Sequence, residues 1–345
     1  MKIIFLGTPQ IAIPSLEYLI KKLDIEIKAV ITQPDKPCGR GKCISASPIK
    51  LIAFENNIPV YQPISIRKDT ELIKTLKKLE PDFFITFAFG QILSQEVLDI
   101  PKFGTINLHA SLLPKYRGAN PIQSAITNGD KFTGITTMLT EIGIDTGAIV
   151  LQKVIEITEN ITSVELAEII SELSPELIYE SIVGLYNEKI KPFPQKDKEA
   201  THAPKVTKDD GIIDWNESAI QIHNKVRGLK PWPSTYTYIN ETCIKITETR
   251  LFTLFPVILS GVEDGAKDLP QNIGKIIGKK DNGINVVTGN GIITITKVQP
   301  ACKKEMDALS WYNGARIKKG TCFKSTCESE AECTYDKTSC KISDQ

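Results

Sequence analysis

An amide, an imidazole and a carboxylate stand close together in one stretch of this 345-residue chain: Asn107 and His109 two residues apart, and Asp145 within Gly143-Ile144-Asp145-Thr146-Gly147. These are groups that could serve an acyl transfer. Such a transfer passes through a tetrahedral species with a developing oxyanion, so it needs donors aimed at that oxygen and a place for a proton. Asn107 offers a neutral N–H that does not titrate. His109 offers a second donor that can also shuttle the proton, and Asp145, brought close, would orient the imidazole and stabilise a proton on it.

What must position these side chains is the edge of a sheet. Residues 104–109 follow the turn Pro101-Lys102-Phe103 and have the apolar pattern of a short buried strand. Side chains alternate along a strand, so Asn107 and His109 share a face while Leu108 turns to the core. The loop Ser111-Leu112-Leu113-Pro114 comes next. The pair therefore sits at the carboxyl end of a strand, where open α/β sheets bind ligands. A second strand, 135–140, leads into the two-glycine loop 143–147, which can carry Asp145 back to the same place.

The flanking chain alternates strands and helices: strand 2–7, helix 11–23, strand 25–32, helix 47–56, strand 60–62, helix 69–79 and a strand 83–89 apolar on both faces. Such alternation predicts parallel crossovers. The turn Gly7-Thr8-Pro9 has one glycine where a dinucleotide fingerprint needs three, which excludes that reading. After strand 148–157, a helix opens at Thr162 with a capping pattern to Glu165, and Pro175 predicts a kink or a second helix ending at Tyr186. The proline-rich and charged segment 191–204 reads as a linker. Asn216 is expected to cap a helix that Gly228 ends. Short strands at 235–239, 243–249, 274–277, 283–288 and 292–298 then predict a small barrel. The expected organisation is a catalytic domain over 1–190, the linker, a barrel domain over 205–320 and a tail over 321–345.

Apolar residues at 41% and charged residues at 24% describe a globular protein with a substantial core. No apolar run approaches the roughly 20 residues that span a bilayer, and no secretory leader is evident, so the expected compartment is the cytoplasm. The formal charge of +1 conceals 17 Lys and Arg against 12 Asp and Glu between Lys205 and Lys319. That excess suits a phosphate-rich partner and suits a solvated surface equally well. Cys322, Cys327, Cys333 and Cys340 lie at lengthening intervals in a polar tail, read either as unstructured or as a metal or disulfide cluster.

The run Asn107-Leu108-His109-Ala110-Ser111-Leu112-Leu113-Pro114-Lys115-Tyr116-Arg117-Gly118, with the Gly143–Gly147 loop, closely resembles the signature N-x-H-x-S-L-L-P-x-x-R-G and G-x-D-x-G of the folate-dependent formyltransferases. Within that superfamily it is most similar to the methionyl-tRNA formyltransferases, and the resemblance covers about residues 2–320. It implies a Rossmann-like, mostly parallel N-terminal sheet with a C-terminal OB-like barrel, 10-formyltetrahydrofolate as donor, no metal, and the amino group of initiator methionyl-tRNA as acceptor. Asn107, His109 and Asp145 would be catalytic. The turn containing Phe89, Gln91 and Leu93 would form the pterin wall, and Ser111, Leu112, Leu113 and Pro114 the rest of the folate side, with Arg117 and Gly118 holding the loop beyond. The loop Gln33-Pro34-Asp35-Lys36-Pro37-Cys38-Gly39-Arg40-Gly41-Lys42 resembles the family's tRNA-contacting insertion, which would set Arg40 against the acceptor end and Lys36 and Lys42 on phosphates.

Three positions depart from the family's pattern. Gln10 and Ile11 stand where an acidic and an aromatic residue near the methionyl side chain are usual, Phe89 replaces a Tyr, and the tail has no counterpart. Another formyl-folate enzyme, a formyl-folate hydrolase, or an RNA-binding module on the same fold remain as alternatives.

Overall fold

The computed structural model describes residues 1–38, 43–239, 241–252, 272–280 and 282–326. Its backbone divides into two compact units: 1–125, 131–158 and 165–205 make the first, and 126–130, 159–164 and the chain from 206 onward the second. Among the described residues no helix is long and apolar enough to cross a membrane.

The first unit is built on seven strands: β1 (Lys2–Gly7), β2 (Glu26–Ile31), β3 (Val60–Tyr61), β4 (Phe83–Phe87), β5 (Thr105–His109), β6 (Phe132–Leu139) and β7 (Ile149–Glu156). Their order is β7-β6-β5-β4-β1-β2-β3. The five strands from β5 to β3 run parallel, whereas β6 and β7 form an antiparallel edge. The order reverses between β1 and β4, and such a switch point opens a crevice at the strands' carboxyl ends. Ile4, Leu6, Ala29, Ile31 and Phe84 pack on one face of the sheet against Leu72, Ile73 and Leu76 of the helix Thr70–Lys78. Ile3, Phe5, Phe83 and Ile85 are as completely buried on the other face, which is why these strands read as unbroken apolar runs.

Helix starts follow their capping residues. Ser47 accepts from Lys50 N at 3.1 Å to open α1 (Pro48–Glu55), and Asp69 accepts from Leu72 N at 3.0 Å to open α2 (Thr70–Lys78). The helix α3 (Ser163–Tyr186) is a single element that runs through Pro175. Residues 191–204, read in the sequence as a linker, are bonded into this unit. Phe193 and Ile149 exchange backbone hydrogen bonds of 2.8 and 2.9 Å, and His202–Ala203 pairs in parallel with Arg117–Gly118.

In the second unit, α4 (Ala219–Gly228) is capped by Ser218 and Gln221 in a reciprocal box. The expected cap, Asn216, instead bonds Asp214 through both its backbone and its carboxamide. Five antiparallel strands follow, β8 (Thr235–Ile239), β9 (Thr242–Leu251), β10 (Ile276–Lys280), β11 (Gly283–Val287) and β12 (Ile292–Pro300), in the order β8-β9-β12-β11-β10. The two edges are joined by a segment the sequence assigned to the tail. Cys322 bridges to Lys275 beside β10, and Lys324 bridges to Tyr238 in β8. Between them Phe323, 3% exposed, stacks on Trp215 at 5.2 Å and Trp311 at 6.2 Å. The unstructured reading of the tail is thus wrong for residues 321–326, because burying one aromatic ring closes the barrel and satisfies both edges. Cys327, Cys333 and Cys340 lie outside the described residues.

Phe323→Ala is expected to destabilise this unit by about 3–5 kcal/mol, the usual cost of emptying an aromatic core site. All 3 tryptophans, Trp215, Trp232 and Trp311, lie in this unit, so urea titration followed by tryptophan fluorescence reads it directly.

Candidate active site

Asn107 and His109 occupy the carboxyl half of β5, on one face of the strand. Asn107 is paired in register with Thr86 of β4, and the Thr86 hydroxyl donates to Asn107 Oδ1 at 2.8 Å. Thr86 is buried and Asn107 partly exposed. With the amide oxygen held from beneath, the NH2 end is the one turned to the open side, which is the end an oxyanion needs.

His109 is 6% exposed and has its Nε2 2.8 Å from the Tyr116 carbonyl. A carbonyl only accepts, so Nε2 carries a hydrogen and Nδ1 is the nitrogen left for chemistry. Nδ1 lies 3.5 Å from Asp145 Oδ2, too far for a strong hydrogen bond but well within electrostatic reach.

Asp145 reaches that position by an indirect path. Strand β6 is antiparallel to β5, so it finishes at the wrong end: Leu139 is opposite Ile106, and Thr140 N donates to Thr105 O at 2.7 Å. From there to His109 is roughly 13 Å along the strand. The loop 140–147 makes the journey and returns, since Leu139 N bonds Ala148 O at 2.9 Å and a Cβ on Gly147 would lie 1.7 Å from Leu139 O. At its far end Asp145 adopts φ +54°, and its Oδ2 accepts from the Gly118 backbone N–H at 2.8 Å. Gly118 itself has φ +118° and would bring a Cβ to 2.6 Å of Ala203 O, so only glycine can present that amide.

The residues expected on the folate side are placed unevenly. Phe89 and Leu93 are 4% and 7% exposed and belong to the sheet core. The Phe89 carbonyl accepts from Thr8 Oγ1 at 3.1 Å and Gln33 Nε2 at 3.2 Å, and Gln91 bonds Ile66 N and Pro63 O. Ser111 is fully buried with its hydroxyl donated to Lys115 O at 2.6 Å, and Leu113 packs with Met138 and Ile149. Gln91 and Ser111 thus satisfy polar groups of their own turns, and Phe89, Leu93 and Leu113 pack into the core beneath them. Leu112 and Pro114 remain partly exposed. Ile92, between Gln91 and Leu93, is 70% exposed. Ile142 and Ile144, on the loop that carries Asp145, are 63% and 67% exposed. Uncovered apolar side chains on these two turns offer a surface that suits a flat heterocycle.

Lys36 is exposed at the start of a short hairpin, Lys36–Cys38 with Cys43–Ser45. Its root is anchored: Asp35 accepts from Lys50 Nζ at 2.5 Å and Gln62 Nε2 at 2.7 Å, and these bonds lower the Asp35 pKa. Arg40 and Lys42 lie outside the described residues. Thr86 and Gln195, whose carboxamide contacts the Asp145 loop, escape sequence reasoning, and Gly118, expected to hold the loop beyond, offers its amide to Asp145. Thr86 could have been found from strand alternation in β4; nothing in the sequence marks Gln195.

The fold is that of the formyl transferases. A family model described as formyl transferase matches residues 1–182, and one described as its C-terminal domain matches 205–316. The N-formyltransferase from Helicobacter canadensis, solved with folinic acid and dTDP-3-aminofucose, superposes with a TM-score of 0.62 at 22% identity, covering 87% of this chain and 99% of that one, a likeness of fold. The methionyl-tRNA formyltransferase of Clostridium perfringens (strain SM101 / Type A) is 46% identical over 324 residues, 94% of this chain and 100% of the relative. That of Clostridium tetani is 47% identical over 320 residues, 93% and 98% of the two chains. The chain belongs to the methionyl-tRNA formyltransferase family.

Thr86→Val keeps the shape of the core and removes the donor to Asn107. It is expected to lower kcat by roughly 3- to 10-fold, the worth of one ordinary hydrogen bond. Steady-state kinetics beside an unchanged melting curve checks this.

Proposed function

We propose that this protein transfers the formyl group of 10-formyltetrahydrofolate to the free α-amino group of methionine esterified to initiator tRNA. The amine nitrogen bonds to the formyl carbon, the bond from that carbon to N10 breaks, and one proton passes from the amine to N10. The carbon arrives activated on the folate, so the chain's task is to position it, stabilise the oxyanion and move that proton.

The observation that carries this reading is the geometry around His109. Its Nε2–H is engaged by the Tyr116 carbonyl and its Nδ1 lies 3.5 Å from Asp145. Nδ1 is therefore the atom that exchanges the proton, while the nearby carboxylate attracts that proton and fixes the ring. Asn107 donates its N–H to the oxyanion, its amide oxygen being held by Thr86. Ile92 and the turn before it, with the exposed Ile142 and Ile144, hold the pterin, Arg40 meets the acceptor end, and Lys36 and Lys42 hold RNA phosphates. Gln10 and Ile11 follow β1 at the switch point and are the residues in which methionine preference is to be sought.

The test is incubation with 10-formyltetrahydrofolate and charged initiator tRNA, scored as acid-stable formylation of the amine. Asn107→Ala is expected to cost about 10²–10³-fold in kcat with the fold intact, and His109→Ala and Asp145→Ala are expected to be comparably severe. Normal turnover in any of these folded variants would overturn the assignment. Release of formate without formyl transfer would mark a hydrolase, and no folate turnover an RNA-binding module.

A further inference from the structure

The loop that delivers Asp145 lacks an apolar anchor near its tip: Glu141, Ile142, Gly143 and Ile144 are all exposed. Asp145 also holds a left-handed backbone conformation, φ +54°, one that Asp adopts more readily than most residues. Something other than packing must hold the tip roughly 13 Å from where β6 ends.

The structure assigns that task to Gln195, and we propose it as a positioning residue for the reaction, resting on the reading of Asp145 given above. Its carboxamide is fully used. Nε2 donates to the carbonyls of both Asp145 and Gly147, each at 2.8 Å, while Oε1 accepts from Arg117 Nε at 3.0 Å. Arg117, 6% exposed, is held in turn by Asp197 Oδ1 at 2.8 Å from NH2. The residue after Arg117 is Gly118, whose amide holds the Asp145 carboxylate. One frame thus grips Asp145 at both ends: Gln195 takes the backbone carbonyl, and the Arg117–Gly118 strand takes the side chain. Because Arg117 donates to Gln195, the two grips are a single unit. Only an amide fits the position, since it must present two N–H donors to carbonyls and one acceptor to a guanidinium.

Losing the clamp moves the carboxylate relative to His109 without removing any group that touches substrate. A displacement of about 1 Å at such a site can cost about 10²-fold in rate. Gln195→Met, nearly the same size and shape without the hydrogen bonds, is expected to lower kcat about 10²-fold while leaving KM for folate and for charged tRNA within about threefold. A residue with a merely structural role would move the melting temperature instead. The deciding readout is a double-mutant cycle: in an Asp145→Asn background Gln195→Met is expected to lower kcat no further, since both act through one carboxylate. Should Gln195→Met fail to fold, Gln195→Glu, which keeps the acceptor for Arg117 and loses both donors, carries the same cycle. Full kcat in Gln195→Met, or an equal loss in both backgrounds, would overturn the proposal. Full kcat in Asp145→Asn alone would instead remove the catalytic reading on which it rests.

Discussion

The hydrogen bond from His109 Nε2 to the Tyr116 carbonyl is the constraint on which the rest of the site depends. It decides which ring nitrogen is available, and its acceptor is a backbone carbonyl, so changing the Tyr116 side chain does not remove it directly. Making that carbonyl point at the ring requires the loop between them to turn back on itself. Ser111 closes the loop onto Lys115 O, and Thr136 ties it to β6 by donating to Ser111 O and accepting from Leu113 N. Tyr116 has φ +61° and is pinned through its N–H to Thr201 Oγ1 at 2.8 Å. The loop 111–116 is thus tied so that one carbonyl is aimed at the ring.

The same logic runs through the other two groups. Asn107 has one polar end held by Thr86 and His109 one held by Tyr116, each leaving the other end to present, whereas the Asp145 oxygen that takes the Gly118 N–H is also the one 3.5 Å from His109 Nδ1. Holding one end costs the site some polar surface but removes the rotational freedom that would otherwise have to be lost at the transition state. Donors already oriented need little reorganisation as charge develops on the formyl oxygen.

Sequence made much of this legible and left particular parts dark. The parallel strands could be read because both faces are buried and so their side chains are uniformly apolar, as in Phe83 to Phe87. Asn107 and His109 could be placed on one face because strand alternation is local. The barrel strands could be read from glycine turns, although β9, β10 and β12 extend beyond their expected bounds. Long-range partners could not be read: Gly118 meets Asp145 across 27 residues and Gln195 meets it across 50, and no local pattern encodes such meetings. Asp145 could be placed because a two-glycine loop can turn back, although the sequence does not show that β6 runs away from the site and that the loop must undo its direction. The proline-rich look of 191–204 suggested a linker because composition reports what a segment lacks, whereas its work is done by two edge pairings and one carboxamide. Residues 321–326 were hidden in the same way, by the polar chain around a single buried Phe323.

The protonation pattern of His109 is the central claim and can be measured directly. The chain has only 3 histidines, so nitrogen-15 NMR with ring-labelled histidine gives a spectrum that His202→Gln and His223→Gln variants can assign. The account predicts that neutral His109 carries its hydrogen on Nε2, with Nδ1 as the nitrogen that gains and loses a proton. A neutral ring protonated at Nδ1 would contradict it, because the Tyr116 carbonyl would then face a lone pair and the proton path to the amine would have no starting point.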